Sequence, residues 1–304
     1  MGPTAAGKAT VGREAARRLS LPVLVCDSVK VYRGLDIGSA KPSPEQRAQV
    51  RHELLDLVEP HQSFSAGDYA RRAWPLLSGG RGLLVGGTGF YLRAVGWTHS
   101  AGIPGRERAP DDPQRVAFEQ RWQGREREEP GAIHRALHAV DPSTARSIHP
   151  HNVVRSLRAL WLCEQGGRPI SAVQSADPPR PRVHLMLVVL DPDPDTLQAR
   201  IVRRLDHMLA MGWLAEVEKL REAGYDARYK AMRSLGYKQL LGVVEGHCTL
   251  HAAREQILGA TRQYARRQRT YLRTQLPAAR TVQVRDPQRC PWGQIEAFLD
   301  HATP

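Results

Sequence analysis

Near the start of the chain, Gly2-Pro3-Thr4-Ala5-Ala6-Gly7-Lys8 has the spacing G-x-x-x-x-G-K. Glycines at these places let backbone N–H groups close around phosphate oxygens. The helix that follows aims its positive end at them, and the lysine adds a point charge. At this chain's glycine and lysine frequencies chance supplies about 0.04 such matches, so a surface loop is the poorer reading. The pattern departs at Ala9, where a serine or threonine hydroxyl would ligate Mg²⁺. Thr10 comes one position later, about 100° round a helix, and is no simple substitute.

Asp27-Ser28 closes the apolar run Leu21–Cys26. A carboxylate there lies at the sheet edge where ligands of α/β folds collect, although an acid in this place also serves as a helix cap or turn residue. The polar, glycine-bearing loop from Tyr32 to Pro42 is costly to order unless it is used. Gly86-Gly87-Thr88-Gly89 ends another run and presents a hydroxyl in a tight turn. Arg200 and Arg204 share one helical face, while Arg203 reads as solvated. Arg262, Arg266, Arg267, Arg269 and Arg273 occupy a stretch with no acid and with Tyr264 and Tyr271 interleaved. Such a face suits phosphate contact plus base stacking better than plain solvation.

The elements that would position these residues are short strands alternating with helices. Leu21–Cys26, Leu83–Val85 and His184–Leu190 read as buried strands, with a helix over Ser65–Leu77. That order implies a parallel sheet covered on both faces, a P-loop NTPase-like α/β core. From Asp111 to Gln174 the apolar spacing is helical (Val154, Leu157, Leu160 and Trp161), predicting an all-helical insertion. It is bounded by Gly102–Pro110 and by Asp177-Pro178-Pro179-Arg180-Pro181. The expected division is 1–107 core, 108–181 insertion and 182–304 core completion, with helices over 195–211, 213–223 and 250–273. A P-loop normally follows a buried strand, so the opening at Met1-Gly2 predicts an upstream start or an absent first strand.

The balance of charge points to a polyanion. Lys+Arg 44 against Asp+Glu 31 gives +13, and only six of the cations are lysine. The longest nearly apolar run, Val183–Leu190, is too short for a bilayer, and no basic-then-apolar leader opens the chain. Cys26, Cys163, Cys248 and Cys290 form no C-x-x-C pair, which fits a reducing cytoplasm rather than a zinc or disulfide framework.

The segments GPTAAGK, DSVKVYRGLDIGSAKP and GGTGFYLRA, then VDPSTARSIHPHNVVRSLRAL, RIVRRLDHMLAMG, MRSLGYKQL and TRQYARRQRTYLR, occur in an order and spacing that resembles the bacterial tRNA dimethylallyltransferase (isopentenyl-tRNA transferase) family. The resemblance covers nearly the whole chain up to about Leu276. It implies transfer of a dimethylallyl group from dimethylallyl diphosphate to N6 of the adenine 3′ of the anticodon, with Mg²⁺ as cofactor. The P-loop, Gly2 to Ala9, would hold the donor diphosphate rather than hydrolyse ATP, with Arg204 above it. Asp27 is implied as general base with the Thr88 hydroxyl directed at the reacting groups, and Arg200, also implied as catalytic, lies with Arg204 over the diphosphate.

The implied tRNA contacts are Asp27, Ser28, Val29, Lys30, Thr88 and Arg115, then Val154, Arg155, Ser156, Leu157 and Arg158 on the insertion. Arg233, Gly236, Tyr237, Arg266, Arg267, Gln268, Arg269 and Arg273 complete them. Three departures stand out: Ala9, the pair Val29-Lys30 where the family is usually uncharged, and His151-Asn152-Val153 in place of Asn-Asp-Pro. His149 and His151 lack a third metal ligand and read as helix-boundary or RNA-facing residues. The expected partner is the tRNA anticodon stem-loop, bound by a monomeric cytoplasmic enzyme. Ala9 and the absent strand keep open a catalytically weakened tRNA-binding relative; a P-loop kinase or a free-nucleotide isopentenyltransferase explains fewer of the segments.

Overall fold

The computed structural model describes residues 1–77, 79–98, 112–276 and 279–301. The expected bracket Gly102–Pro110 and the boundary at 107/108 lie outside them. The apolar runs become parallel strands: β1 (Val23–Cys26) lies between β2 (His52–Glu53) and β3 (Leu83–Gly86), with Val23 opposite Leu83 and Cys26 opposite Gly86. All of β1 is buried, as a continuous apolar run demands. A short antiparallel pair, β4 (Trp97–Thr98) and β5 (Arg180–Pro181), belongs to a second unit. The core then resumes with β6 (Met186–Leu190), parallel to β7 (Arg280–Val284).

The core unit, Met1–Gly96 with Val183–Pro304, carries α1 (Lys8–Leu19), α2 (Pro44–Gln49), α3 (Ala66–Leu77) and α4 (Gly89–Gly96) in its first part. Helix α1 rests on β3 so closely that a Cβ at Gly12 would lie 2.8 Å from the Val85 methyls, so only glycine allows the approach. Met1, just before the P-loop, extends the β6 ladder, its amine donating to Val188 O at 2.7 Å and its carbonyl accepting from Leu190 N at 2.9 Å. Between β3 and β6 lies an apolar pocket bordered by Val85, Leu187 and Phe298.

Among its described residues the second unit, Trp97–Arg182, has helices apart from its two-residue strands: α5 (Pro113–Glu128), α6 (Ala132–Val140), α7 (Pro142–Arg146), α8 (Val153–Gly166) and α9 (Ile170–Ala176). Its own core packs Phe118, Ile133, Leu137, Leu160 and Trp161. Buried Asp141 caps α7 through Thr144 N and also accepts from Ser171 N and Oγ, so one carboxylate joins two helix starts.

After β6 come α10 (Pro194–Ala210), α11 (Trp213–Glu222), α12 (Tyr237–Val244), α13 (Leu250–Thr274) and α14 (Trp292–His301). The three strands and the long helices lie within a few residues of the sequence reading, although only β1 is buried throughout: Leu83, Leu84 and Val85 of β3 are half-buried. Strand β7 does not appear in that reading: Arg-Thr-Val-Gln-Val is short and exposed except near Val284, so it carries no apolar run. Its pairing with β6 supplies what its composition lacks. Among the described residues no helix is long and apolar enough to cross a membrane.

Candidate active site

The P-loop path is a backbone property. Ala5 and Gly7 take left-handed φ angles of 61° and 92°, and Gly7 caps α1 without any side-chain bond. The first-turn N–H groups of α1 therefore lack intrahelical acceptors and remain available to an anion. The loop is tied down from a distance by Gln268 on α13. Its Oε1 accepts from Thr4 N at 2.8 Å and its Nε2 donates to Gly87 O at 2.9 Å, so one amide joins the P-loop to the turn after β3. A Cβ at Gly87 would fall 2.2 Å from that Nε2, which explains the glycine there.

The same turn meets the end of β1. Gly87 N and Thr88 N both donate to Cys26 O at 3.2 Å. Thr88 Oγ1 accepts from Ser28 N at 3.1 Å, bringing Asp27, Ser28 and Thr88 to one point. Asp27 Oδ1 accepts from Val29 N (2.9 Å) and Lys30 N (3.3 Å), which fixes the carboxylate and leaves Oδ2 without a donor among the described residues.

Two adjoining cavities meet at Asp27. The first runs along the P-loop and is bordered by Lys8, Arg13, Lys30, Arg200 and Arg204. The second has an apolar wall of Ile201, Leu205, Met208, Trp213 and Ile257. Both are bordered by Thr4, Ala5, Asp27, Ser39, Arg204 and Tyr264. Arg204 Nη1 donates to Thr4 Oγ1 at 3.2 Å, while Arg203 on the same helix is exposed, as expected of a solvated residue.

Electrostatics set the character of the first cavity. Burial, reinforced by Arg204 and Lys30, pushes the Lys8 ammonium down to about 7, against the pull of Asp27. Burial does the same to Lys30, down to about 8, with Asp27 opposing and Arg204, Lys41 and Arg13 adding to the drop. Arg204 is also lowered by burial. Crowded cations of this kind favour an anion among them.

The sequence reading did not find two supports of the site. Glu216 on α11 accepts from the backbone N–H groups of Asp36 (3.0 Å), Ile37 (2.6 Å) and Gly38 (3.2 Å), and from Tyr237 Oη (2.7 Å). Lys41, with its side chain 2% exposed, joins Asp36 (2.6 Å) and Asp56 (2.5 Å). Together they order the loop whose Gly38 and Ser39 border the second cavity. The abundance of turn residues in Asp36–Lys41 was the available signal; the partner Glu216 is far away in sequence.

Several expected tRNA contacts, Gln268, Tyr237, Gly236, Ser156 and Leu157, are buried in this structure, and Arg269 is half-buried in an ion pair. Gln268 is the clamp just described. Tyr237 is fully buried against Trp213 and bonded to Glu216, and Gly236 is buried beside Trp213. Ser156 and Leu157 lie in the core of the helical unit, whereas Val154 is 78% exposed and Arg155 is exposed. Arg269 is engaged by Asp191 at 2.6 Å. Arg233, Arg266, Arg267 and Arg273 are exposed, and Arg115 pairs with Glu119. Val29 borders the second cavity, but Lys30 borders only the first. His149 and His151 contact each other, and among the described residues no His/Cys/Asp/Glu cluster could hold a metal.

The Mg²⁺ that the resemblance implies does not fit the donors of the phosphate cavity. Position 9 offers a methyl group, Thr10 is exposed, and Ser39 Oγ is turned to Leu35 O at 2.6 Å. Asp27 is the sole carboxylate among the described lining residues, facing five cations. Magnesium prefers an octahedron of oxygens built on carboxylate, hydroxyl and phosphate.

A family model described as IPP transferase matches residues 30–275. A tRNA dimethylallyltransferase of Pelotomaculum thermopropionicum is 34% identical over 304 residues, covering 98% of this chain and 90% of the relative. One from Geobacter metallireducens is 40% identical over 281 residues, covering 90% and 87%. Among solved structures, the full-length tRNA isopentenylpyrophosphate transferase of Bacillus halodurans aligns with a TM-score of 0.68 at 32% identity, covering 99% of this chain and 95% of its own.

Proposed function

Because the chain belongs to the IPP transferase family, we propose that it transfers the dimethylallyl group of dimethylallyl diphosphate to N6 of the adenine 3′ of the anticodon in tRNA. The diphosphate occupies the P-loop cavity, among Lys8, Arg200 and Arg204. The adenine, unstacked from the anticodon loop, enters from the second cavity and meets the allyl carbon at Asp27. The N6 lone pair forms the bond to C1 of the dimethylallyl group. The C1–O bond breaks with its electron pair leaving on the diphosphate, and Asp27 Oδ2 accepts the N6 proton. An aryl amine is a weak nucleophile, so removing its proton as the bond forms lowers the barrier. The cations meet the charge that develops on the leaving group.

The observation that carries this reading is that Asp27 borders both cavities with one carboxylate oxygen fixed and the other undonated. Thr88 and Ser28, bonded to each other, supply hydroxyls beside it for the incoming nucleoside. The exposed Arg266, Arg267 and Arg273 fit contact with tRNA phosphates, in the cytoplasm where that substrate is found. The test is to incubate the protein with labelled dimethylallyl diphosphate and unmodified tRNA. Label on adenine is expected, and Asp27→Asn lowers transfer by about 10²–10⁴-fold while tRNA affinity stays within about twofold. Equal loss of both in Asp27→Asn refutes the assignment of Asp27 as base. The second reading, a tRNA-binding relative with weakened catalysis, is favoured by Ala9; tight, salt-sensitive tRNA binding without label would establish it.

A further inference from the structure

Two departures from the expected pattern lie in the same cavity. Ala9 removes the hydroxyl through which a P-loop holds a divalent ion, and Lys30 places an extra cation beside the same phosphate site. We propose that Lys30 is a diphosphate-binding residue that neutralises the charge a P-loop metal ion would otherwise meet, so that this chain grips the diphosphate without a divalent cation. The proposal rests on the reading of this cavity as the donor's diphosphate site.

Four observations converge on Lys30. Its side chain borders the P-loop cavity and is absent from the neighbouring one. Its ammonium makes no hydrogen bond among the described residues, unlike the other lysines nearby: Lys8 Nζ donates to Pro3 O at 2.5 Å, and Lys41 Nζ meets Tyr32 O, Asp36 and Asp56. The acid nearest in sequence, Asp27, already spends Oδ1 on the backbone N–H groups of Val29 and Lys30. The cavity lining holds Lys8, Arg13, Lys30, Arg200 and Arg204 against one carboxylate, a surplus of four positive charges.

That surplus decides between metal and lysine. A diphosphate monoester carries about three negative charges near neutral pH, since its terminal phosphate loses its second proton near pH 6. Five cations and Asp27 therefore balance it with one positive charge to spare, and a divalent ion would add two more in a half-buried space. Without Lys30 the balance falls to neutral, the situation in which a metal becomes useful. The depressed ammoniums of Lys8 and Lys30 agree with a cluster awaiting an anion.

The test is calorimetric titration of the full chain with inorganic pyrophosphate, once with EDTA and once with Mg²⁺ at fixed free pyrophosphate. Wild-type affinity in EDTA is expected within about threefold of that in Mg²⁺. Lys30→Gln lowers the EDTA affinity by tenfold or more, Lys30→Arg restores most of it, and thermal unfolding of both variants stays at the wild-type temperature. Adding Ala9→Thr to Lys30→Gln recovers binding only when Mg²⁺ is present. A tenfold loss of wild-type affinity in EDTA overturns the proposal, as does unchanged EDTA binding in Lys30→Gln. The transfer assay separates the two levels of inference. Transfer to tRNA that is abolished by EDTA sinks the role of Lys30 and leaves the function standing. Metal-free pyrophosphate binding that depends on Lys30, without any transfer, sinks the function alone.

Discussion

Replacing Gln268 by leucine separates a structural clamp from an RNA contact. The side chain is 7% exposed and makes two bonds of ordinary length, from Thr4 N at 2.8 Å and to Gly87 O at 2.9 Å. Leucine fills similar space but leaves the half-buried amide N–H of Thr4 and the buried carbonyl of Gly87 without their partner. Each orphaned group costs about 1–3 kcal/mol. Part of the loss is regained by relaxation of the P-loop, so about 2–4 kcal/mol is expected for the pair. For a core of this size that lowers the unfolding temperature by about 5–15 °C. Pyrophosphate affinity should fall as well, because the Thr4 amide anchors the loop that cradles the anion. Gln268→Glu keeps the acceptor for Thr4 N and loses the donor to Gly87 O, so an intermediate loss is expected. Differential scanning calorimetry and pyrophosphate titration read both effects. An unfolding temperature within 2 °C of wild type, with unchanged pyrophosphate affinity and weakened tRNA binding, would refute the clamp and restore Gln268 as an RNA contact.

Pyrophosphate binding should take up protons between about pH 7 and 8. The free-protein ammoniums of Lys8 and Lys30, depressed to about 7 and about 8, are partly neutral there and regain protons beside the anion. The lysines' contribution to affinity is thus fully present only about a unit below pH 7 and weakens as pH rises through both values; a binding enthalpy independent of buffer ionisation at pH 8 would contradict this. On the exposed face of α13, the combined change of Arg266, Arg267 and Arg273 to alanine should weaken tRNA binding and flatten the plot of log affinity against log salt by up to about 2 units. An unaltered slope would place the tRNA elsewhere.

Much of the site was legible in local patterns. The glycine spacing and lysine of the P-loop, the acid ending β1 and the glycine turn ending β3 obey rules that operate within a few residues: turn conformations, helix starts and strand ends. The helical unit was legible too, since its apolar positions repeat with a helical period. What spacing could not supply is which side of an element faces what. Ser156 and Leu157 stand beside exposed Arg155, yet packing turns them inward. Lys30 follows Val29, and only the course of the loop sends one to the phosphate cavity and the other to its neighbour.

The amino-acid order alone determined the chemistry on offer: a backbone cradle for phosphate, a carboxylate at a strand end and a basic helix. Tertiary structure decided the assembly. Gln268 reaches Thr4 across 264 residues, Glu216 gathers three N–H groups about 180 positions away, and strand β7 exists because β6 gives it a partner. The physical reason is range. Backbone conformation and helix dipoles act between neighbours in the chain, whereas a buried hydrogen bond is specified by whichever donor and acceptor the packed core leaves facing each other.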